Sequence, residues 1–233
     1  MSIAYHLKKV LQRIKDAANK NYTIAHPVTL LAVSKTHNIS KIKEAYLAGQ
    51  RDFGENYLQE AMDKIAALKD YEICWHYIGP IQSNKTTKIA ENFHWVHSVD
   101  RLKIARRLSD QRPAHLPPLK ICLQVNISNE ENKSGVHVDE LPALIEATRD
   151  LPGITLKGLM CIPAKAEGFE QQRQAFHEMQ TLFQQHQLNC PDLDTLSMGM
   201  SADLEAAIAE GSTMVRVGTD IFGARNKPAT LKN

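Results

Sequence analysis

The 233-residue chain has no apolar run approaching the roughly 18 residues of a membrane span, so no membrane role is expected. Excess charge is also lacking. A net charge of +2 and a pI near 8.3 are far from the basic footprint of a dedicated nucleic-acid binder. The four cysteines, at 74, 122, 161 and 190, form no CxxC pair, and Cys122 and Cys161 fall in strand-like apolar segments. That pattern suits a reducing cytoplasm better than a disulfide framework. The ten histidines are scattered, and His94 and His97 have no HxxE or HxxxH companion, so no metal site is expected. The opening MSIAYHLKKVLQRIKDAANK lacks an unbroken apolar core and a small-residue cleavage site, so it does not read as a secretory signal. Asp16 and the scarcity of serine argue against an organelle transit peptide. No G-x-G-x-x-G turn follows an early strand, which weighs against an open dinucleotide-binding sheet.

What is present is a regular alternation. Strand-like runs occur at 30–34, 51–55, 73–79, 94–99, 119–127, 155–162, 194–199 and 213–218. Helical patterns such as ISKIKEAYLAG, QEAMDKIAALK and EQQRQAFHEMQTLFQQHQ lie between them, several closed by glycine. Strands alternating with helices predict a parallel sheet, and eight of them predict a (β/α)8 barrel, whose usual size is about 250 residues. The expectation is one domain over 1–233, with a flanking amphipathic helix over 2–20 and a loose tail over 227–233. Ile3, Leu7, Val10, Leu11 and Ile14 form the apolar stripe of that helix, with Lys8, Lys9, Arg13 and Lys15 outside.

The strand ends carry the polar residues, and the active site of such a barrel is built there. TLLAVSKTH ends its first strand in Lys35. In TMVRVGTD, Arg216 lies within the eighth strand, on a face shared with Met214 and Gly218. Both faces of a parallel barrel strand are buried, so Arg216 needs either a salt-bridge partner or a ligand. SMGMS and Gly218-Thr219 close strands seven and eight, where such barrels commonly bind phosphate. Ser197 and Ser201 offer hydroxyls, and Gly199 and Gly218 let backbone amides approach an anion. Ser201 also reads as a helix N-cap. Asp203 and Asp220 oppose a phosphate there unless their side chains turn away. An amine in an apolar wall is a nucleophile toward an aldehyde. An amine, a ring-nitrogen partner and a phosphate cup together suit pyridoxal 5′-phosphate.

The segments LLAVSK, FGENY, WHYIGPIQSNK, HSVDR, NKSG, GLMCIP, LSMGMS and MVRVGTDIFGAR closely resemble the YggS-type pyridoxal 5′-phosphate homeostasis proteins. The likeness runs from the N-terminal helix to about Asn226. It implies a barrel like the N-terminal domain of alanine racemase that holds the cofactor as an imine on Lys35. It further implies that Ser197, Gly199, Met200, Ser201, Gly218 and Thr219 hold the phosphate and that Arg216 faces the ring nitrogen. Asn56 and His76 are implied to line the pocket. His37 departs from the second lysine expected in some relatives, and Asp220 from a small residue. The expected role is binding and delivery of the cofactor to apo enzymes without catalytic turnover, in the cytoplasm that the cysteine pattern suits, and as a monomer, since the sequence shows no large apolar surface seam. An arginine at the ring nitrogen disfavours its protonation and weakens the electron sink. Alanine racemase takes a tyrosine base from a second domain, and this chain reads as the barrel alone. The alternatives are a racemase-like enzyme and, further off, a cofactor-free Schiff-base aldolase, which the buried arginine disfavours.

Overall fold

In the computed structural model, residues 2–21, 27–128, 130 and 133–224 are described. The expected tail over 227–233 lies outside them. Eight strands, β1 (Thr29–Val33), β2 (Asp52–Glu55), β3 (Cys74–Tyr77), β4 (Trp95–Val99), β5 (Leu119–Val125), β6 (Ile154–Cys161), β7 (Thr195–Met200) and β8 (Met214–Val217), form a closed barrel in chain order. Every neighbouring pair is parallel. The ring closes between β1 and β8, with Leu31 opposite Arg216 and Ala32 opposite Val217. The (β/α)8 expectation holds.

Helices cover the outer face of the strands and the inner face packs on the side chains of the other strands, so both faces are buried, which explains the near-continuous apolar strand sequences. All five residues of β4 are buried. The helices are α1 (Ile3–Asn21), α2 (Ile39–Leu47), α3 (Leu58–Ala67), α4 (Thr86–Asn92), α5 (Leu102–Asp110), α6 (Leu141–Thr148), α7 (Phe169–Gln187), α8 (Leu204–Ala209) and α9 (Thr219–Phe222).

The first helix, α1, stands outside the alternation and packs on α2, α8 and α9. Ile3, Leu7, Val10, Ile14 and Ala17 make its buried stripe. Leu11, expected on that stripe, is 46% exposed. Positions 3, 7, 10, 14 and 17 already complete a face at three- and four-residue spacing, and Leu11 falls beyond its edge.

Candidate functional site

The carboxyl ends of the strands open onto a cavity of about 750 Å³. That is within the ordinary range for small-molecule sites. Lys35 and His37 reach it after β1, Asn56 after β2, and Met200 and Ser201 at the end of β7. Arg216, Gly218 and Thr219 complete the β8 side. Val33, Ile78 and Met160 supply apolar wall.

Lys35 sits in a tight turn closed by a hydrogen bond from His37 N to Ser34 O, 3.1 Å long. Thr36 in that turn has φ 65°, a left-handed conformation that β-branched residues rarely adopt. A buried ion cluster holds both neighbours of the lysine. Lys64 Nζ donates to Ser34 O (2.8 Å), Glu55 Oε1 (2.7 Å) and Glu60 Oε1 (2.6 Å). Glu60 Oε1 also accepts from Thr36 N at 2.6 Å, and Ser34 Oγ donates to Glu55 Oε1 at 2.6 Å. Burial pushes the Glu55 carboxyl up, and the Lys64 ammonium opposes that. The spacing of Glu60 and Lys64, four apart on one helix, was the available sequence signal for this support.

Arg216 is 5% exposed and its partners are neutral. Nη1 donates to Ser197 O (2.6 Å) and Ser197 Oγ (2.8 Å), and Nη2 to Cys161 O (2.9 Å). No carboxylate among the described residues forms an ion pair with it. Burial lowers its pKa from the usual arginine value, yet a guanidinium stays charged in proteins. Of its five donors, Nε–H and one Nη2–H remain for a ligand in the cavity it lines.

The expected phosphate cup divides into two groups. Met200, Ser201, Gly218 and Thr219 line the cavity. Ser197 and Gly199 stand behind its wall. The Ser197 hydroxyl is taken by Arg216 and by His97 (3.0 Å to Nδ1). Gly199, at φ 92°, packs under α8, where an added Cβ would come within 2.5 Å of the Ala207 methyl. Close packing, not an anion, requires this glycine. The Met200 amide already donates to Asp203 Oδ1 at 2.5 Å.

Ser201 is not the N-cap expected for the following helix. β7 continues to Met200, a turn follows, and Asp203 precedes the first residue of α8. The two acids near the cup are both engaged. Asp203 is spent on the Met200 amide, and Asp220 accepts from Arg13 Nη1 at 2.5 Å. Arg13 also binds Glu205 (2.7 Å from Nε) and Ser201 O (3.1 Å from Nη2), so α1 ties the two cup loops together. It was expected simply on the outer face of the helix.

Asn56 lines the cavity, as expected, and Gly79 exists to let it pass: a Cβ there would lie 2.2 Å from Asn56 O. His76 does not line the cavity. It is fully buried inside the barrel, bonded to His97 (2.9 Å) and to Asp52 (3.0 Å). Asp52, Cys74 and His76 bring their polar atoms within 4.8 Å of one another at the amino-terminal end of the barrel, a grouping from two strands that sequence spacing could not show. His76 Nε2 engages the Asp52 carboxylate at 3.0 Å, and the Cys74 thiol lies beside it. Sequence reasoning also missed Gln124, Ser134 and Lys165 on the far wall, where Lys133 joins them.

Residues 9–226 match the family model described as alanine racemase, N-terminal domain. The pyridoxal phosphate homeostasis protein of Pseudomonas aeruginosa is 56% identical over 225 residues, 97% of this chain and 96% of its own. This chain belongs to the pyridoxal phosphate homeostasis protein family. The homologous Escherichia coli member is 50% identical over 227 residues, covering 96% of this chain and 97% of its own. PipY of Synechococcus elongatus, solved with PLP bound, superposes with a TM-score of 0.81 at 37% identity, over 95% of this chain and all of PipY (100%). Alanine racemase of Corynebacterium glutamicum (TM-score 0.61, 22% identity, 95% of this chain, 63% of that one) shares the barrel fold.

Proposed function

We propose that this chain binds pyridoxal 5′-phosphate, covalently at Lys35, and acts in homeostasis by passing it to apo enzymes without turnover of its own. The observation that carries the reading is that Lys35 and the buried Arg216 open onto one cavity from adjacent strands. The names of its relatives and the PLP-bound state of PipY support it. The donor set fits the group. Lys35 supplies the amine, Arg216 has donors left for the ring nitrogen, and Ser201, Thr219 and Gly218 surround the place for a phosphate. Bound there, the cofactor supplies an aldehyde that attaches reversibly to amines. Arg216 can only donate, so it favours a ring nitrogen without a proton, which suits holding over reaction. Four free cysteines are consistent with work in the cytoplasm, where we place the protein as a monomer.

Two assays on one preparation test this. Loaded protein should reactivate an apo cofactor-dependent enzyme beyond an equal amount of free cofactor. Amino acids incubated with it in heavy water should show no exchange of the α-proton. Rapid exchange abolished by Lys35→Ala would establish the racemase-like reading instead.

A further inference from the structure

Arg216, Ser197, His97, His76 and Asp52 form four successive hydrogen bonds through the barrel interior, of 2.8, 3.0, 2.9 and 3.0 Å. The strands involved are β8, β7, β4, β3 and β2, so the step from His97 to Ser197 crosses the barrel. Three of the members have no exposed surface, and Arg216 has 5%. His76 is clamped flat on Trp95, with ring centroids 5.6 Å apart and planes 6° from parallel.

The two ends fix the direction of every bond. A guanidinium donates and never accepts, and an ionised carboxylate accepts and never donates. Arg216 therefore donates to Ser197 Oγ, whose proton goes to His97 Nδ1. That leaves His97 to donate from Nε2 to His76 Nδ1, and His76 to donate from Nε2 to Asp52. Both imidazoles are neutral Nε2–H tautomers in this arrangement, in keeping with the lowering of both pKa values by burial. With the other His97 tautomer, Ser197 Oγ would face two donors and its own proton would lose its acceptor.

We propose that this one-way chain makes Asp52 a positioning residue for the Arg216 guanidinium at the cavity floor, acting from the opposite mouth of the barrel. Asp52 suits that place. It is 31% exposed at the side chain, begins β2 at the amino-terminal end, and has its pKa lowered against the cost of burial chiefly by the hydrogen bond with His76. Remove its charge and only the Arg216 end still fixes which way the two histidines point their protons, so the Ser197 hydroxyl and the Arg216 guanidinium, which Ser197 O and Cys161 O continue to hold, shift from their single arrangement. The extension to a bound ring nitrogen rests on the proposed function; the chain itself does not.

Long-range ¹H–¹⁵N spectra of the wild-type protein without cofactor should show His76 and His97 as neutral Nε2–H tautomers. An Nδ1–H form or an imidazolium at either position at neutral pH would overturn the proposal. In Asp52→Ala the Arg216 side-chain ¹⁵N resonances should shift by more than their linewidth, with Asp63→Ala, at an exposed position of α3, as the silent control. An unmoved Arg216 in a folded Asp52→Ala protein would also overturn it. Loading both proteins with ¹⁵N-labelled pyridoxal phosphate then asks whether the ring nitrogen follows Arg216. Failure of the wild type to bind it would count against the proposed function and leave the histidine and Arg216 results standing.

Discussion

Thr36 holds a left-handed φ of 65° directly after Lys35, and its backbone amide is fastened to Glu60. Such strain costs about 1–3 kcal/mol and persists where the surroundings over-determine it. Here the surroundings are the buried Lys64 cluster, so the direction of Lys35 is set from α3, behind the cavity lining. Both Lys35 and Arg216 were legible, because a lysine ending a strand and an arginine between two valines break an apolar pattern. Gly199 turns toward α8 where the β7–β8 register shifts, while Ser197 and His76 fall outside the cavity lining for another physical reason. Alternation tells which side of a strand faces inward, but height along the barrel axis depends on strand stagger, which a single sequence does not reveal. Ser201 stays in the cup, and since Asp203 precedes α8, it has no cap to lose. Ser201→Ala should leave thermal stability unchanged and weaken binding of the phosphorylated cofactor about fivefold, the equivalent of ~1 kcal/mol for one hydrogen bond. Binding of unphosphorylated pyridoxal is the control. Equal losses for both ligands in a titration would move the phosphate elsewhere.

Strands and helices were the most readable level, since apolar runs of strand length alternate with patterns of helical period along the whole chain. Boundaries were less so. Ser and Asp both suit an N-cap, and only the extension of β7 to Met200 decides that α8 starts after Asp203. The glycine in GLMCIP looked like an ordinary strand position. In the barrel, Gly158 lies against β7 so closely that a Cβ would fall 1.7 Å from Thr195 O. That oxygen belongs to the backbone of the neighbouring strand, and no side-chain rotation relieves the clash. Gly158→Ala should therefore separate β6 from β7 locally and destabilise the fold on the order of 3 kcal/mol. Urea unfolding measures it, and a loss below about 0.5 kcal/mol would contradict the geometry.

At the scale of the molecule, closure of the barrel joins the first and last strands, and that alone brings residues 35 and 216 to one cavity. Closure also encloses His76 and His97, which have no exposed surface. Burial lowers the pKa of both, that of His97 well below its ordinary value. The unfolded chain therefore binds more protons than the folded one below about pH 6.5. Stability is complete above that value and falls as the pH drops through the window. Each histidine contributes up to about 1.4 kcal/mol per pH unit while it stays neutral in the fold. Urea midpoints at about pH 7.5 and about pH 5.5 should show the loss, and His97→Gln should reduce it. A flat profile would mean that these rings take up protons in the fold as they do in the unfolded chain. The most direct measurement of the central claim is where the cofactor is bonded. Three lysines among the described residues line the cavity, Lys35, Lys133 and Lys165, so proximity alone does not choose among them. Loaded protein should be reduced with borohydride, digested and mapped by mass spectrometry. The prediction is one adduct per chain, on Lys35, and none in a folded Lys35→Ala variant. An adduct carried mainly by Lys133 or Lys165, or one that survives Lys35→Ala, would contradict the account.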